Sequence, residues 1–218
     1  MRRGEPLDFI AYIRDHPEQF RELLLEHVRL VGFSVLIAIL IAIPLAVLTT
    51  RLAWFERPMT WIANVGQTVP SLAILGLTLP LLGIGFRPAL FALTIKAVLP
   101  IFLNTVIGIR GVDRAIVDAA RGMGTSDRQL LWLVELPLAS PVMFAGIQTA
   151  TVQNIGLATL AAYIGGGGFG DWILQGLAMV NPPILLAGAV PVAVLAMSTE
   201  LILRGVRRVI VPAGLTVT

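Results

Sequence analysis

Five long apolar stretches dominate the sequence, and each contains the roughly 20 residues that a helix needs to cross a lipid bilayer. They run over about residues 30–50, 59–82, 88–109, 141–164 and 184–203. Of the 218 residues 56% are hydrophobic and 13% are charged, whereas soluble domains contain roughly 25% charged residues. Lipid cannot form hydrogen bonds with free backbone N–H and C=O groups, so a membrane-spanning segment is either a helix or a strand of a closed barrel. No segment shows the alternating pattern of a barrel strand. The sequence therefore predicts an all-α integral membrane protein with about five transmembrane helices.

The positions of the arginines predict the orientation of these spans. Arginines are concentrated after the first, third and fifth spans, and arginine-rich short loops face the cytoplasm. This pattern predicts a cytoplasmic C-terminus and an N-terminus outside the cell. Arg14, Arg21 and Arg29 precede the first span and favour the opposite orientation, so the sequence alone leaves the conflict open.

Residues 1–29 differ from the rest because charged and apolar side chains alternate along them. The pattern predicts an amphipathic helix that lies on the bilayer surface, followed by a transmembrane domain over residues 30–209 and a cytoplasmic tail over residues 210–218. We interpret His16 and His27 as ordinary surface histidines rather than a metal pair. Tryptophans are typical of membrane interfaces, and the sequence places Trp172 at the outer one.

The longest polar region after the N-terminus covers residues 110–140, between the third and fourth spans. Its first part favours a helix that ends at Gly122 or Gly124, and Ser126 with Gln129 forms the S-x-x-Q pattern of a capping box that opens a second helix. Pro137 and Pro141 are expected to end that second helix before the fourth span. The region is therefore predicted to be a helix-turn-helix.

This region resembles the cytoplasmic loop of ATP-binding-cassette importer permeases, which has the pattern E-A-A, three residues, G, nine residues, I, one residue, L-P. The matching positions here are Asp118, Ala119, Ala120, Gly124, Val134, Leu136 and Pro137, with Asp in place of Glu and Val in place of Ile. In that family the loop docks into a cleft of a separate ATPase subunit. The resemblance implies an ATPase-coupling role for Asp118, Ala119, Ala120, Arg121, Gly124, Thr125 and Asp127. An ordinary helical hairpin is the alternative.

Three further segments resemble the permeases of osmoprotectant importers, namely residues 67–71 (QTVPS), Leu99-Pro100 with Asn104-Thr105, and residues 164–172 (IGGGGFGDW). Such importers move glycine betaine, carnitine, choline or proline betaine across the bacterial or archaeal cytoplasmic membrane. The resemblance implies two ATPase subunits, a second permease copy or a homologous permease, and an external solute-binding protein. A permease for methionine or another small solute remains an alternative.

Gly165 and Gly170 have the outer spacing of a P-loop, but Asp171 and Trp172 stand where lysine and serine or threonine are required. ATP and Mg²⁺ are therefore expected on the partner ATPase, with no cofactor or metal bound by this chain. We interpret the glycines as a flexible bend that leads into a short helix over residues 171–180. The sequence contains neither an H-E-x-x-H pattern nor paired carboxylates within a span, which argues against a membrane-embedded enzyme. The net charge of +3 gives no indication of nucleic-acid binding.

Polar side chains within the spans are candidates for lining a translocation pathway, because such groups usually face a cavity or a partner helix. The candidates are Gln67, Ser71, Asn104, Gln148, Thr151 and Asn154. Hydrogen bonding between helices is an equally open interpretation. Lys96 is expected to reach the surface or bond to another helix, with the pathway as the alternative, and Glu200 is expected to pair with Arg204. An ATP-independent channel or ion-coupled carrier would need more ionisable groups within the spans than these.

Overall fold

The computed structural model describes residues 8–210, which form helices joined by short turns. The helices are α1 (Asp8–Asp15), α2 (Pro17–Arg51), α3 (Ala53–Thr68), α4 (Ser71–Leu82), α5 (Phe86–Arg110), α6 (Arg114–Gly122), α7 (Asp127–Leu130), α8 (Leu136–Ala158), α9 (Gly170–Ala178) and α10 (Pro182–Ile210). A π-helical turn, Leu131–Glu135, joins α7 to α8, and a 3₁₀ turn, Leu160–Ile164, follows α8. Residues 1–7 and all but the first residue of the predicted tail lie outside the described part of the chain.

Four segments of the described chain are long and apolar enough to cross a membrane, namely α2, α5, the continuous helix Asp127–Ala158, and α10. A fifth crossing requires α3 and α4 together, and these two helices meet at a bend of 100°. The all-α fold with about five spans is thus confirmed. The second predicted span, over residues 59–82, is a broken helix rather than a straight one.

The break lies at Val69 and Pro70, which both have extended backbone angles. Proline has no backbone N–H and disfavours the α conformation in the residue before it, so α3 ends at Thr68 and α4 begins at Ser71. Pro100, in contrast, lies inside α5, which continues on both sides of it. The surrounding contacts decide whether a proline breaks a membrane helix.

Helices α2, α5 and α8 form the core of the bundle. Ala38, Ala42 and Ala46 are fully buried along one face of α2, and small side chains at such spacing let membrane helices approach closely. Gly146 of α8 serves the same purpose against α5, because a Cβ atom there would lie 2.6 Å from the Cβ of Asn104. The bundle is therefore held by close contact between helix backbones.

The N-terminal segment is packed against the protein, and its predicted position on the bilayer surface stays a prediction. Helix α2 continues through the expected boundary at residue 29, and Phe20 and Leu23 pack with Phe169 and Trp172 near α9. Trp172 is fully buried in this contact, so it does not mark a membrane interface as predicted. An apolar face predicts burial, but the sequence pattern does not distinguish lipid from protein as the partner.

Two further predictions about local structure are wrong. His27 is completely buried in α2 and its Nε2 lies 3.0 Å from the carbonyl oxygen of Ile155, so it is not a surface histidine. Pro137 and Pro141 do not end the helix, which runs without interruption over Asp127–Ala158. A π-helical turn precedes Pro137 and shifts the backbone hydrogen bonds, since the N–H of Leu136 donates to the carbonyl of Leu131, and Pro141 lies inside α8.

Candidate functional site

The loop between α5 and α8 forms a compact hairpin, here called the α6–α7 hairpin and defined as residues 114–130. Asp113 begins α6 by accepting a hydrogen bond from the N–H of Ala115 at 2.8 Å. At the second helix, the Ser126 N–H donates to Gln129 Oε1 at 2.9 Å while the Gln129 N–H donates to Ser126 Oγ at 3.4 Å. This reciprocal pair is a capping box. The predicted helix-turn-helix is present.

The turn of the hairpin depends on Gly124, whose φ of +84° is in the left-handed region that favours glycine. Thr125 stabilises the turn from inside, since its Oγ1 donates to the carbonyl of Ala120 at 2.7 Å. Ala120 is buried, so this residue and Thr125 shape the hairpin rather than offer a contact surface. The other predicted coupling residues are exposed, namely Asp118, Ala119, Arg121, Gly124 and Asp127.

Met123 lies at the tip of the hairpin with 80% of its surface exposed. The family pattern leaves positions 121–123 variable, and of these only Arg121 was included among the predicted coupling residues. A large apolar side chain at the end of a charged hairpin is the feature that interfaces bury in their centres. Met123 therefore belongs with the candidate docking residues.

Ion pairs connect the hairpin region to the bundle. Glu135 of the π-helical turn is buried and forms a two-pronged ion pair with Arg51 at the end of α2, in which Arg51 Nη1 lies 3.2 Å from Glu135 Oε1. Arg110 at the end of α5 pairs with Glu56 of α3. Between these helix ends and the hairpin lies a polar cavity of about 910 Å³. The segment that follows the hairpin is thus joined to the end of α2 by an ion pair.

Two neighbouring cavities with polar linings open at the surface of the bundle, and we call them the lysine cavity and the glutamate cavity. The lysine cavity, of about 350 Å³, is lined by Gln67, Ser71, Lys96, Leu99, Pro100, Gln153, Gly156 and Leu157. The glutamate cavity, of about 430 Å³, is lined by Ala145, Gln148, Thr149, Val152, Gln153, Glu200 and Arg207. Gln153 borders both cavities, so one polar face of α8 extends from one to the other.

The structure brings together only part of the predicted pathway set. Gln67, Ser71 and Gln148 line the two cavities. Thr151 borders neither of them and donates to the carbonyl of Ile147 at 2.7 Å within its own helix. Asn104 likewise donates to the carbonyl of Pro100 at 2.8 Å.

Asn154 is a clear correction, because only 1% of it is exposed. Its amide nitrogen donates to Ser34 Oγ at 2.9 Å and to the carbonyl of Leu93 at 3.0 Å, so it joins three helices. The polar face that borders the cavities contains Thr149 and Gln153 instead. Gln148 lies on this face too, so the sequence placed the face only in part, because polar residues occur on more than one side of α8.

Lys96 and Glu200 are the ionisable groups within these cavities that the sequence singled out. Lys96 Nζ donates to the carbonyl of Val69 at 2.9 Å and approaches that of Gln67 at 3.5 Å. These carbonyls belong to the end of α3, where intrahelical partners are missing. Glu200 Oε1 accepts from Gln148 Nε2 at 2.6 Å and from Arg204 Nε at 3.0 Å, which confirms the predicted pair with Arg204.

At the end of the bundle opposite to the hairpin, the glycine loop of residues 165–168 is hydrogen-bonded to α2. Gly165, Gly167 and Gly168 have φ values of +71°, +77° and +82°, and the N–H of Gly168 donates to Glu26 Oε2 at 2.9 Å. Burial, together with the nearby Glu26 carboxylate, raises the pKa of Asp171 above its usual value. Sequence reasoning missed Glu26, which attaches this loop to α2. In the described residues, no three His, Asp or Glu side chains are arranged to hold a metal ion.

Residues 31–212 match the family model described as "Binding-protein-dependent transport system inner membrane component". The chain belongs to this family. It is therefore a multi-pass inner-membrane component of a binding-protein-dependent transport system, and such components are not themselves catalytic. The match covers both polar cavities and the α6–α7 hairpin, so the family assignment includes every candidate site except the segment around Glu26.

Two relatives of this transport component come from Bacillus subtilis (strain 168). The choline transport system permease protein is 45% identical over 190 residues, which cover 87% of this chain and 88% of the relative. The glycine betaine/carnitine/choline transport system permease protein is 43% identical over 190 residues, again covering 87% and 88%. Among solved structures, an inward-facing MetNI methionine transporter chain aligns with a TM-score of 0.78 and 21% identity, covering 86% of this chain and 94% of that one. The last similarity concerns the fold alone.

Proposed function

We propose that this chain is the permease subunit of an ATP-driven importer, and that it forms the pathway for a compatible solute such as glycine betaine, carnitine, choline or proline betaine. The observation that carries the proposal is the polar face of α8, which connects two open cavities with polar linings on a largely apolar bundle. The names of the relatives support the solute class, since both refer to quaternary ammonium compounds. The methionine alternative has weaker support, from a fold neighbour of 21% identity.

The chain works with partners in this proposal. Two ATPase subunits supply the energy and bind ATP and Mg²⁺, and the α6–α7 hairpin docks into a cleft of one of them with Met123 at its tip. A second permease copy or a homologous permease completes the pathway, and an external binding protein delivers the solute. The hairpin and the C-terminus then face the cytoplasm, while the N-terminus and the glycine loop face outward.

The experiment that tests the proposal compares two exchanges of an exposed methionine for arginine, Met123→Arg at the hairpin tip and Met179→Arg at the other end of the bundle. Both side chains are largely exposed, by 80% and 61%, so neither substitution disturbs the core. The importer is purified from detergent-solubilised membranes and scored for the co-purifying ATPase and for uptake of labelled glycine betaine in proteoliposomes. Met123→Arg should lower ATPase recovery at least tenfold, on the order of the loss of a central interface residue.

The Met179→Arg variant should keep the ATPase at the wild-type level, because its position lies away from the hairpin. Equal ATPase recovery in all three preparations would contradict docking at the hairpin tip. A wild-type chain that transports glycine betaine without any ATPase would instead support the ATP-independent carrier.

A further inference from the structure

Lys96 is a cation in the wall of the lysine cavity, in the middle of α5. A charge near the centre of a membrane is costly, by about 2.5 to 3.5 kcal/mol on insertion scales, and therefore usually has a function or a partner. Among the described residues no carboxylate lies within 4.0 Å of Lys96 Nζ, since the ion pairs involve only arginines. The partners that the structure provides are backbone carbonyls at the helix break.

The ammonium group has three hydrogens, and the carbonyls of Val69 and Gln67 account for two of them. The carbonyl of Gln67 is at 3.5 Å, the outer limit of a hydrogen bond, so this contact is weak. One good hydrogen bond thus holds Lys96 in place. Its other N–H donors and its positive charge are available to a group in the cavity. The anchor fixes the position of the charge without neutralising it.

The remaining lining of the lysine cavity suits an anionic group. Its other polar side chains, Gln67, Ser71 and Gln153, are neutral and can all donate hydrogen bonds, and none of the eight lining residues is acidic. The volume of about 350 Å³ lies at the lower end of the range for small-molecule sites, roughly 300 to 1,000 Å³. The cavity is therefore electropositive and of a size for a small solute.

We propose that Lys96 is a specificity-determining residue of the pathway, which binds the carboxylate of zwitterionic solutes such as glycine betaine and disfavours cations without a carboxylate such as choline. The inference rests on the proposed function. A carboxylate in the lysine cavity forms a charge-assisted hydrogen bond with the ammonium group, whereas choline brings a second positive charge to it. Glu200 does not offset this effect, because its carboxylate is bonded to Gln148 and Arg204 in the glutamate cavity.

The test measures uptake of labelled glycine betaine and of labelled choline by the complete importer in proteoliposomes, with its ATPase and binding protein. Lys96→Gln keeps a donor for the Val69 carbonyl but removes the charge. It should lower glycine betaine uptake on the order of tenfold, the size expected for one charge-assisted hydrogen bond, and raise choline uptake, because the repulsion between two positive charges is removed. Lys96→Arg should keep the preference for glycine betaine. Arg87→Gln, which removes an exposed cation at the start of the same helix, serves as the matched control and should change neither rate.

A chemical rescue separates the effect of the charge from any effect on folding. It is feasible because the natural chain contains no cysteine, so a cysteine introduced at position 96 is the only one in this chain. Lys96→Cys in an assembled importer is treated with 2-aminoethyl methanethiosulfonate, which forms a disulfide carrying an ammonium group, or with the neutral methyl reagent. Glycine betaine uptake should return several-fold only with the ammonium reagent, and treated wild type corrects for thiols in the partner subunits.

The outcomes distinguish the inference from the function on which it depends. Equal losses for both solutes in Lys96→Gln, with no rescue by the ammonium reagent, would make Lys96 a purely structural anchor and overturn the inference. Unchanged uptake of both solutes would overturn it as well. If the wild-type importer transported neither solute, the proposed function itself would fail, and the inference would fail with it.

Discussion

Gln153 and Asn154 are neighbours in α8 but lie in different environments. The Gln153 side chain is exposed along the two cavities, whereas Asn154 is buried between α2 and α5, where its amide nitrogen makes two hydrogen bonds. A rotation of about 100° around a helix separates consecutive residues, and this is enough to separate a cavity environment from a buried one. Lys96 has contacts of both kinds, because it bonds to the carbonyl of Val69 at the break in the second span and also borders a cavity.

Alanine substitutions at these two positions are expected to have opposite consequences. Asn154→Ala should lower the free energy of unfolding in detergent by about 1 to 2 kcal/mol, since it removes two interhelical hydrogen bonds and leaves a small void. Gln153→Ala should change stability by no more than about 0.5 kcal/mol, because exposed side chains contribute little, but should alter solute uptake. Thermal unfolding and proteoliposome uptake measured on the same preparations test both statements. A stability loss at Gln153 as large as that at Asn154 would contradict the assignment.

At the scale of elements, the α6–α7 hairpin and the broken α3–α4 span depend on residues with restricted or unusual backbone conformations. The hairpin turns at Gly124 with positive φ, and the span breaks where Pro70 forces Val69 out of the helical region. The π-helical turn before Pro137 lets the hairpin continue directly into α8. The second arm of the hairpin and the fourth span thus form one continuous helix of 32 residues, Asp127–Ala158.

The two glycines of the hairpin provide a matched pair for testing its turn. Gly124→Ala should destabilise the turn by about 1 to 2 kcal/mol, because an L-residue is strained at positive φ. Gly122→Ala should stabilise the end of α6 by up to about 1 kcal/mol, since alanine favours the helix and its Cβ would meet no other atom within 4 Å. Hydrogen exchange of the amides in residues 114–130 measures both effects. Faster exchange in both variants would show that the hairpin tolerates no side chain at either position.

At the scale of the whole molecule, the two opposite ends of the described bundle are formed by different elements. One end contains the hairpin, the helix ends of α2 and α5 and a large polar cavity joined by ion pairs. The other contains α1, the glycine loop and α9, packed through an aromatic cluster around Trp172. The α1 helix and the hairpin lie at opposite ends because α2 extends from one to the other over 35 residues.

Site-directed labelling can test the proposed orientation, again because the natural chain has no cysteine. Met123→Cys and Met179→Cys replace exposed side chains at opposite ends of the bundle. In intact cells an impermeant maleimide should label residue 179 but not residue 123, and inside-out vesicles that lack the ATPase should show the reverse. A cysteine in α1, such as Ile10→Cys, should behave like the one at 179. Labelling of both ends from one side would exclude the five-span topology.

Most of the fold was predictable from local pattern. Long apolar runs, the capping box at Ser126 and the glycine at 124 depend on short-range physics, namely hydrophobic length, helix capping and backbone freedom, and these predictions were confirmed. The candidate site was predictable only in part. Gln67, Ser71 and Gln148 border the cavities, but Asn154 does not, because periodicity alone does not tell which face of a polar helix meets a partner.

By itself, the sequence determined that this is a helical membrane protein. It also determined where most of the spans lie and that the longest internal loop is a helix-turn-helix. These features are predictable because hydrophobic span length and helix capping depend on residues that are close together in the sequence. Only the tertiary structure decided that the second span is broken, that the N-terminal segment packs on Trp172, and that Lys96 faces a cavity while bonded to the carbonyl of Val69. Each of these features joins residues that are distant along the chain. Contacts of this kind depend on how helices pack against one another, which local composition does not specify.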